Sequence, residues 1–86
     1  MEVSVELTYS PLTDDYEKHV ISFIKQLRAS KFKTLENPLS TQIYGNYDEL
    51  MPFLTKAIED AFKTTDIAVM SMKLVKTDRS DYEPDF

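Results

Sequence analysis

Glu6, Ser40, Thr41, Gln42 and Tyr44 are the residues of this chain whose types and spacing could do chemistry. None of them is a nucleophile beside a base, so the chemistry they offer is recognition. A carboxylate can accept hydrogen bonds and supply a counter-charge, while hydroxyls and an amide can orient a ligand. An aromatic ring gives a cation or a flat ring a surface to stack on. Four of the five fall within Asn37-Pro38-Leu39-Ser40-Thr41-Gln42-Ile43-Tyr44-Gly45, and Gly45 is the only glycine in 86 residues. A solitary glycine marks a backbone requirement, either a positive φ or the close approach of another group. Each residue also has a plainer reading. A lone strand glutamate is ordinarily solvated, and Ser40 and Thr41 can pair across a hairpin. Taken residue by residue, the plainer reading leads.

Other candidates carry less. His19 is the only histidine, and it sits beside the apolar face of a helix, where it reads as a boundary residue. Asp48 and Glu49 suit the start of a helix, through capping and the dipole, better than a metal site. Lys73 and Arg79 read as interface or anion contacts, with plain surface charge the stronger reading for Arg79. Met70 and Met72 read as core or interface filler. Tyr9 reads as core, its hydroxyl at the rim. The absence of cysteine excludes disulfides, thiolate metal sites and cysteine nucleophiles. Fifteen acids against ten bases give a net charge of -5, which repels phosphate backbones and argues against nucleic acid. With no nucleophile–base pair, metal cluster or phosphate loop, the expectation is a non-enzyme without a cofactor. No stretch approaches the ~20 apolar residues of a membrane span, so a cytoplasmic protein without membrane partners is expected.

The elements that must hold these residues are legible from periodicity. Val3, Val5, Leu7 and Tyr9 alternate with Glu2, Ser4, Glu6 and Thr8, the period of a half-buried strand. Ser10-Pro11-Leu12-Thr13 ends it. Asp14 and Glu17 have capping-box spacing, and Tyr16, Val20, Phe23, Ile24 and Leu27 follow on one helical face. A hairpin of 32–36 and 39–44 turns at Asn37-Pro38. A second helix after Gly45, with Asn46 and Glu49 as a further capping box, buries Leu50, Leu54, Ala57, Ile58, Ala61 and Phe62. Pro52 either kinks that helix or delays its start to Met51. A last strand covers 67–76.

The order β-α-β-β-α-β predicts an α+β, ferredoxin-like sandwich, with two helices on one face of an antiparallel sheet. Residues 1–79 form the expected domain, and 80–86 an acidic, flexible tail. If Val3, Val5, Leu7 and Ile43 face the helices, then Glu6, Ser40, Gln42 and Tyr44 face the open side. The last strand is apolar on both sides, which calls for a second copy of the chain against the sheet.

Glu6 with Ser10-Pro11-Leu12, then Asn37 through Gly45, Asp48-Glu49-Leu50 and Lys73-Leu74-Val75-Lys76-Thr77-Asp78-Arg79 resemble the thiamine-binding (YkoF-like) family of small ferredoxin-like proteins. The resemblance runs from about residue 3 to 79. It implies a βαββαβ fold, homodimers or homotetramers formed through sheets, and binding of thiamine or its hydroxymethylpyrimidine moiety without catalysis. It also raises the set Glu6, Ser40, Thr41, Gln42 and Tyr44 from the plainer reading to a candidate ligand site. Tyr44 stands where the family carries an acid before its glycine. The alternative reading is therefore a structural or regulatory oligomer of the same fold that has lost its ligand.

Overall fold

A computed structural model describes residues 1–86. The elements are β1 (Glu2–Pro11), α1 (Tyr16–Arg28), β2 (Lys33–Glu36), β3 (Thr41–Asn46), α2 (Tyr47–Phe62) and β4 (Ala68–Lys76). They make one antiparallel sheet in the order β2-β3-β1-β4. This is the predicted α+β ferredoxin-like βαββαβ architecture.

Alternation in β1 fixes the two faces. Val3, Val5, Leu7 and Tyr9 are buried with Ile43 of β3 against Phe23, Leu27, Leu50, Leu54 and Ala57 of the helices. Burial of each large apolar side chain contributes about 1.5–3 kcal/mol, so this one face dominates stability. Tyr9 is core as expected, and its hydroxyl donates to the Ala61 carbonyl at 3.2 Å.

Several local expectations are corrected. The N-cap of α1 is Asp15, not Asp14, and its carboxylate makes no capping bond. It accepts instead from the Thr13 hydroxyl at 2.9 Å and pairs with Lys18 and His19. Tyr16 is exposed because α1 meets the core only from Val20 onward. Strand β3 begins at Thr41, not Leu39. The Asn37 side chain accepts from the N–H groups of both Leu39 and Ser40, at 2.8 and 2.9 Å, and closes 37–40 into a turn. Leu39 is left pointing into solvent. Asn46 caps α2 by accepting from the Asp48 N–H at 3.0 Å, while Glu49 pairs with Lys31 rather than closing the box. The helix starts at Tyr47, before Met51, and continues unbroken past Pro52. Phe62, expected on the buried face, is half-exposed against Tyr9.

The helices pack over β1, β2 and β3 and stop short of the outer half of β4. Register places Met70, Met72 and Leu74 opposite Tyr9, Leu7 and Val5, hence on the helix side of the sheet. Met70 still reaches the core, but Met72 and Leu74 are 39% and 44% exposed. Much of the apolar surface of β4 therefore lies at an uncovered edge beside the helices, with Val69 and Val75 on the open face.

Candidate functional site

Antiparallel partners share a face, so the ladders state what stands on the open side. One row crosses the sheet as Leu35, Gln42, Glu6 and Lys73, and the next as Lys33, Tyr44, Ser4 and Val75. Four of the five predicted residues meet here. The Ser40 hydroxyl donates to the Glu6 carboxylate at 3.0 Å and accepts from the Gln42 amide at 2.8 Å, a connected chain from β3 to β1. Tyr44 stands two residues along from Gln42. Thr41 does not belong with them. It pairs with Leu7 and Glu36 on the helix side and is buried. The period of two that puts Ser40 and Gln42 on the open face puts Thr41 on the other.

Ser4, Glu6, Gln42, Tyr44, Lys73 and Arg79 frame a shallow recess of about 140 Å³ over this part of the sheet. Its Tyr44 phenol is pushed above its ordinary value of 10.0, first by burial and then by the Asp78 and Glu6 carboxylates. The ring is therefore a neutral donor and stacking surface at any physiological pH.

Sequence reasoning missed the wall formed after β4. The chain turns at Thr77, whose φ of 156° ends the strand's regular course. It then crosses the end of the open face. The buried Ser4 hydroxyl donates to the Thr77 carbonyl at 2.7 Å and accepts from the Arg79 N–H at 2.9 Å. Lys33 donates to the Ser80 carbonyl at 3.3 Å, so the segment bridges β1 and β2. The Ser80 hydroxyl and N–H hold the Asp78 carboxyl below its ordinary value. Arg79 and Ser80 are thus tied to the sheet as a strap, by the Ser4 hydroxyl and the Lys33 side chain.

His19 lies elsewhere, between the helices. Its ring nitrogens approach Asp15 at 3.3 Å and the Thr64 hydroxyl at 3.2 Å. No cluster of three or more potential metal ligands occurs, and no helix is long and apolar enough to cross a membrane.

The family model for thiamine-binding protein matches residues 5–85. The chain belongs to the thiamine-binding protein family. Membership places it among small-molecule-binding proteins. Among solved structures, a Streptococcus pneumoniae protein is 26% identical, with a TM-score of 0.84 over 91% of this chain and 89% of that one. A Thermotoga maritima protein named for a proposed part in thiamine biosynthesis or salvage shares the fold at 15% identity. Its TM-score is 0.81 over 90% of this chain and 85% of that one. A Bacillus cereus domain of unknown function shares the fold at 18% identity and a TM-score of 0.73, over 99% and 79% of the two chains. No curated protein matches the chain.

Proposed function

We propose that this protein is a non-catalytic binding protein for thiamine or its hydroxymethylpyrimidine moiety, working as a homo-oligomer. The observation that carries the reading is the Glu6–Ser40–Gln42 chain of hydrogen bonds beside Tyr44 in one recess on the open face. Glu6 accepts from the exocyclic amine of the pyrimidine and balances the ligand's positive charge. Tyr44 stacks on a ring, and Gln42 and Ser40 fix the orientation of the bound edge. Ligand sites ordinarily enclose about 300–1,000 Å³, well above the 140 Å³ of this recess. A second copy roofing the recess supplies the missing enclosure, in keeping with the exposed Val69 on the same open face of β4.

The small volume of the recess is what favours the second reading, a ligand-free structural oligomer, and a thermal-shift experiment separates the two. A ligand at one hundred times its dissociation constant stabilises the folded state by ~2.7 kcal/mol. At roughly 4–8 °C per kcal/mol for a domain of this size, thiamine or hydroxymethylpyrimidine should raise the midpoint by on the order of 10 °C. Glu6→Gln should remove most of that shift and leave the unliganded midpoint in place, because Glu6 is exposed. No shift of the wild type by either compound at saturating concentration would hand the lead to the structural oligomer.

A further inference from the structure

Two cationic side chains on the rim of the recess have no carboxylate partner in the folded chain. Lys73 and Arg79 both line it, and neither forms an ion pair. For Lys73 this is notable, because the β1–β4 ladder sets it directly opposite Glu6. The Glu6 carboxylate turns the other way, to the Ser40 hydroxyl on the β3 side. Arg79 arrives by a different route. Its backbone N–H is fastened to Ser4, two residues before Glu6 on the same strand, and its guanidinium lies 5.3 Å from the Tyr82 ring. Contact with the ring holds the guanidinium plane while its N–H groups stay free to donate. A chain with a net charge of -5 thus sets two cations without ion pairs around the same recess as Glu6 and Tyr44.

We infer that the recess takes a ligand with an anionic end, a phosphate monoester, held by Lys73 and Arg79, while Glu6, Gln42 and Tyr44 hold its cationic heteroaromatic end. The inference rests on the thiamine reading above and names the form of that ligand. A phosphate monoester carries close to two negative charges and three acceptor oxygens, which suits the planar fork of Arg79 combined with the point charge of Lys73. Ser4 acts as a positioning residue. It anchors the strap that brings Arg79 over the sheet, its hydroxyl engaged by the Thr77 carbonyl and the Arg79 N–H.

Calorimetric titration with thiamine, thiamine monophosphate and inorganic phosphate tests this. The monophosphate should bind the wild type about tenfold more tightly than thiamine, a difference of ~1.4 kcal/mol. Since both cations are solvent-exposed, that ratio should shrink as salt is raised from ~0.02 M to ~0.5 M. Arg79→Met and Lys73→Met should each bring the ratio toward one, and Ser4→Ala should lower it with both cations still present. Monophosphate binding with no detectable thiamine binding supports the inference as well, because the anionic end then supplies the decisive contacts. Thiamine binding with no preference for the ester overturns the inference and leaves the thiamine reading standing. A preference that survives both cation substitutions overturns the assignment to Lys73 and Arg79. Inorganic phosphate binding as tightly as the ester reduces the site to a plain anion site and overturns it too. Binding of neither organic compound overturns the inference and the thiamine reading together.

Discussion

Gly45 has no Cβ because the ring of Phe32 occupies the space where one would be. A Cβ built on Gly45 would lie 2.6 Å from Cδ1 of Phe32. Gly45 has no positive φ, so of the two requirements a lone glycine can answer, close approach is the operative one. The ring cannot simply swing aside, since it packs against Phe53 with centroids 5.6 Å apart.

Gly45→Ala should accordingly destabilise the fold by about 1–3 kcal/mol, the usual cost of overpacking. Urea denaturation should show the loss with an unchanged m-value. Adding Phe32→Leu should recover part of it in a double-mutant cycle. Full stability in Gly45→Ala would show that the Phe32 ring is free to move.

The strap should be worth more than its lack of regular structure implies. Ser4→Ala removes the partner of both the Thr77 carbonyl and the Arg79 N–H, and a typical hydrogen bond contributes about 0.5–1.5 kcal/mol. A loss of roughly 1–2 kcal/mol is expected. Deleting residues 83–86 should be silent, as Phe86 is fully exposed. Deletion from Ser80 onward should fall between these, because it removes the Lys33 contact and Tyr82. A midpoint that drops as far for the 83–86 deletion as for Ser4→Ala would show that the acidic end docks on the fold.

These features divide by how far apart their causes lie in the chain. The faces of β1 were readable because Val3, Val5, Leu7 and Tyr9 alternate locally, and the same parity in 40–44 separates Ser40, Gln42 and Tyr44 from Thr41. Periodicity alone would have removed Thr41 from the candidate site. The turn at 37–40 was visible as Asn37-Pro38, but not the two N–H groups its side chain takes, which is why the strand start slipped by two residues. The strap left no signal. Its bonds join residues 73 and 75 positions apart through one serine hydroxyl, and no local pattern encodes that. The resemblance included Arg79 in a motif without saying what fastens it.

Stability should fall on the acid side. Arg28 grips Glu36 through two contacts, one of them 2.6 Å, and holds its carboxyl below the ordinary value of 4.5. Asp15, Glu59, Asp60 and Asp78 are likewise held low by hydrogen-bonding partners. A carboxyl lowered on folding contributes stability that is present above its unfolded value. That contribution is lost as pH falls through the folded one. Urea midpoints should therefore hold from neutral pH to about 5 and decline below 4. Glu36→Gln should flatten part of the decline and lower the plateau slightly, because the pair is solvent-screened. An unchanged acid limb in Glu36→Gln would assign the decline to the other carboxylates.

Self-association should run through the uncovered edge of β4. Val69, Met72 and Leu74 are 50%, 39% and 44% exposed, and Ile67 just before the strand is 64% exposed, an unusual density of apolar groups along one sheet edge. Register divides them by face, with Met72 and Leu74 on the helix side and Val69 on the open side. A stable interface needs about 800 Å² from each partner, more than either group offers alone, so neighbouring surface must join it. Sedimentation equilibrium at micromolar concentration should return at least a dimer for the wild type. Met72→Glu with Leu74→Glu should return a 10.0 kDa monomer if the helix-side edge is buried between copies. Val69→Lys should do so if the open face is buried instead, and in that case it should also weaken ligand binding, since the recess lies on that face. A wild type that sediments as a clean monomer would remove the oligomer, and with it the roof proposed for the recess.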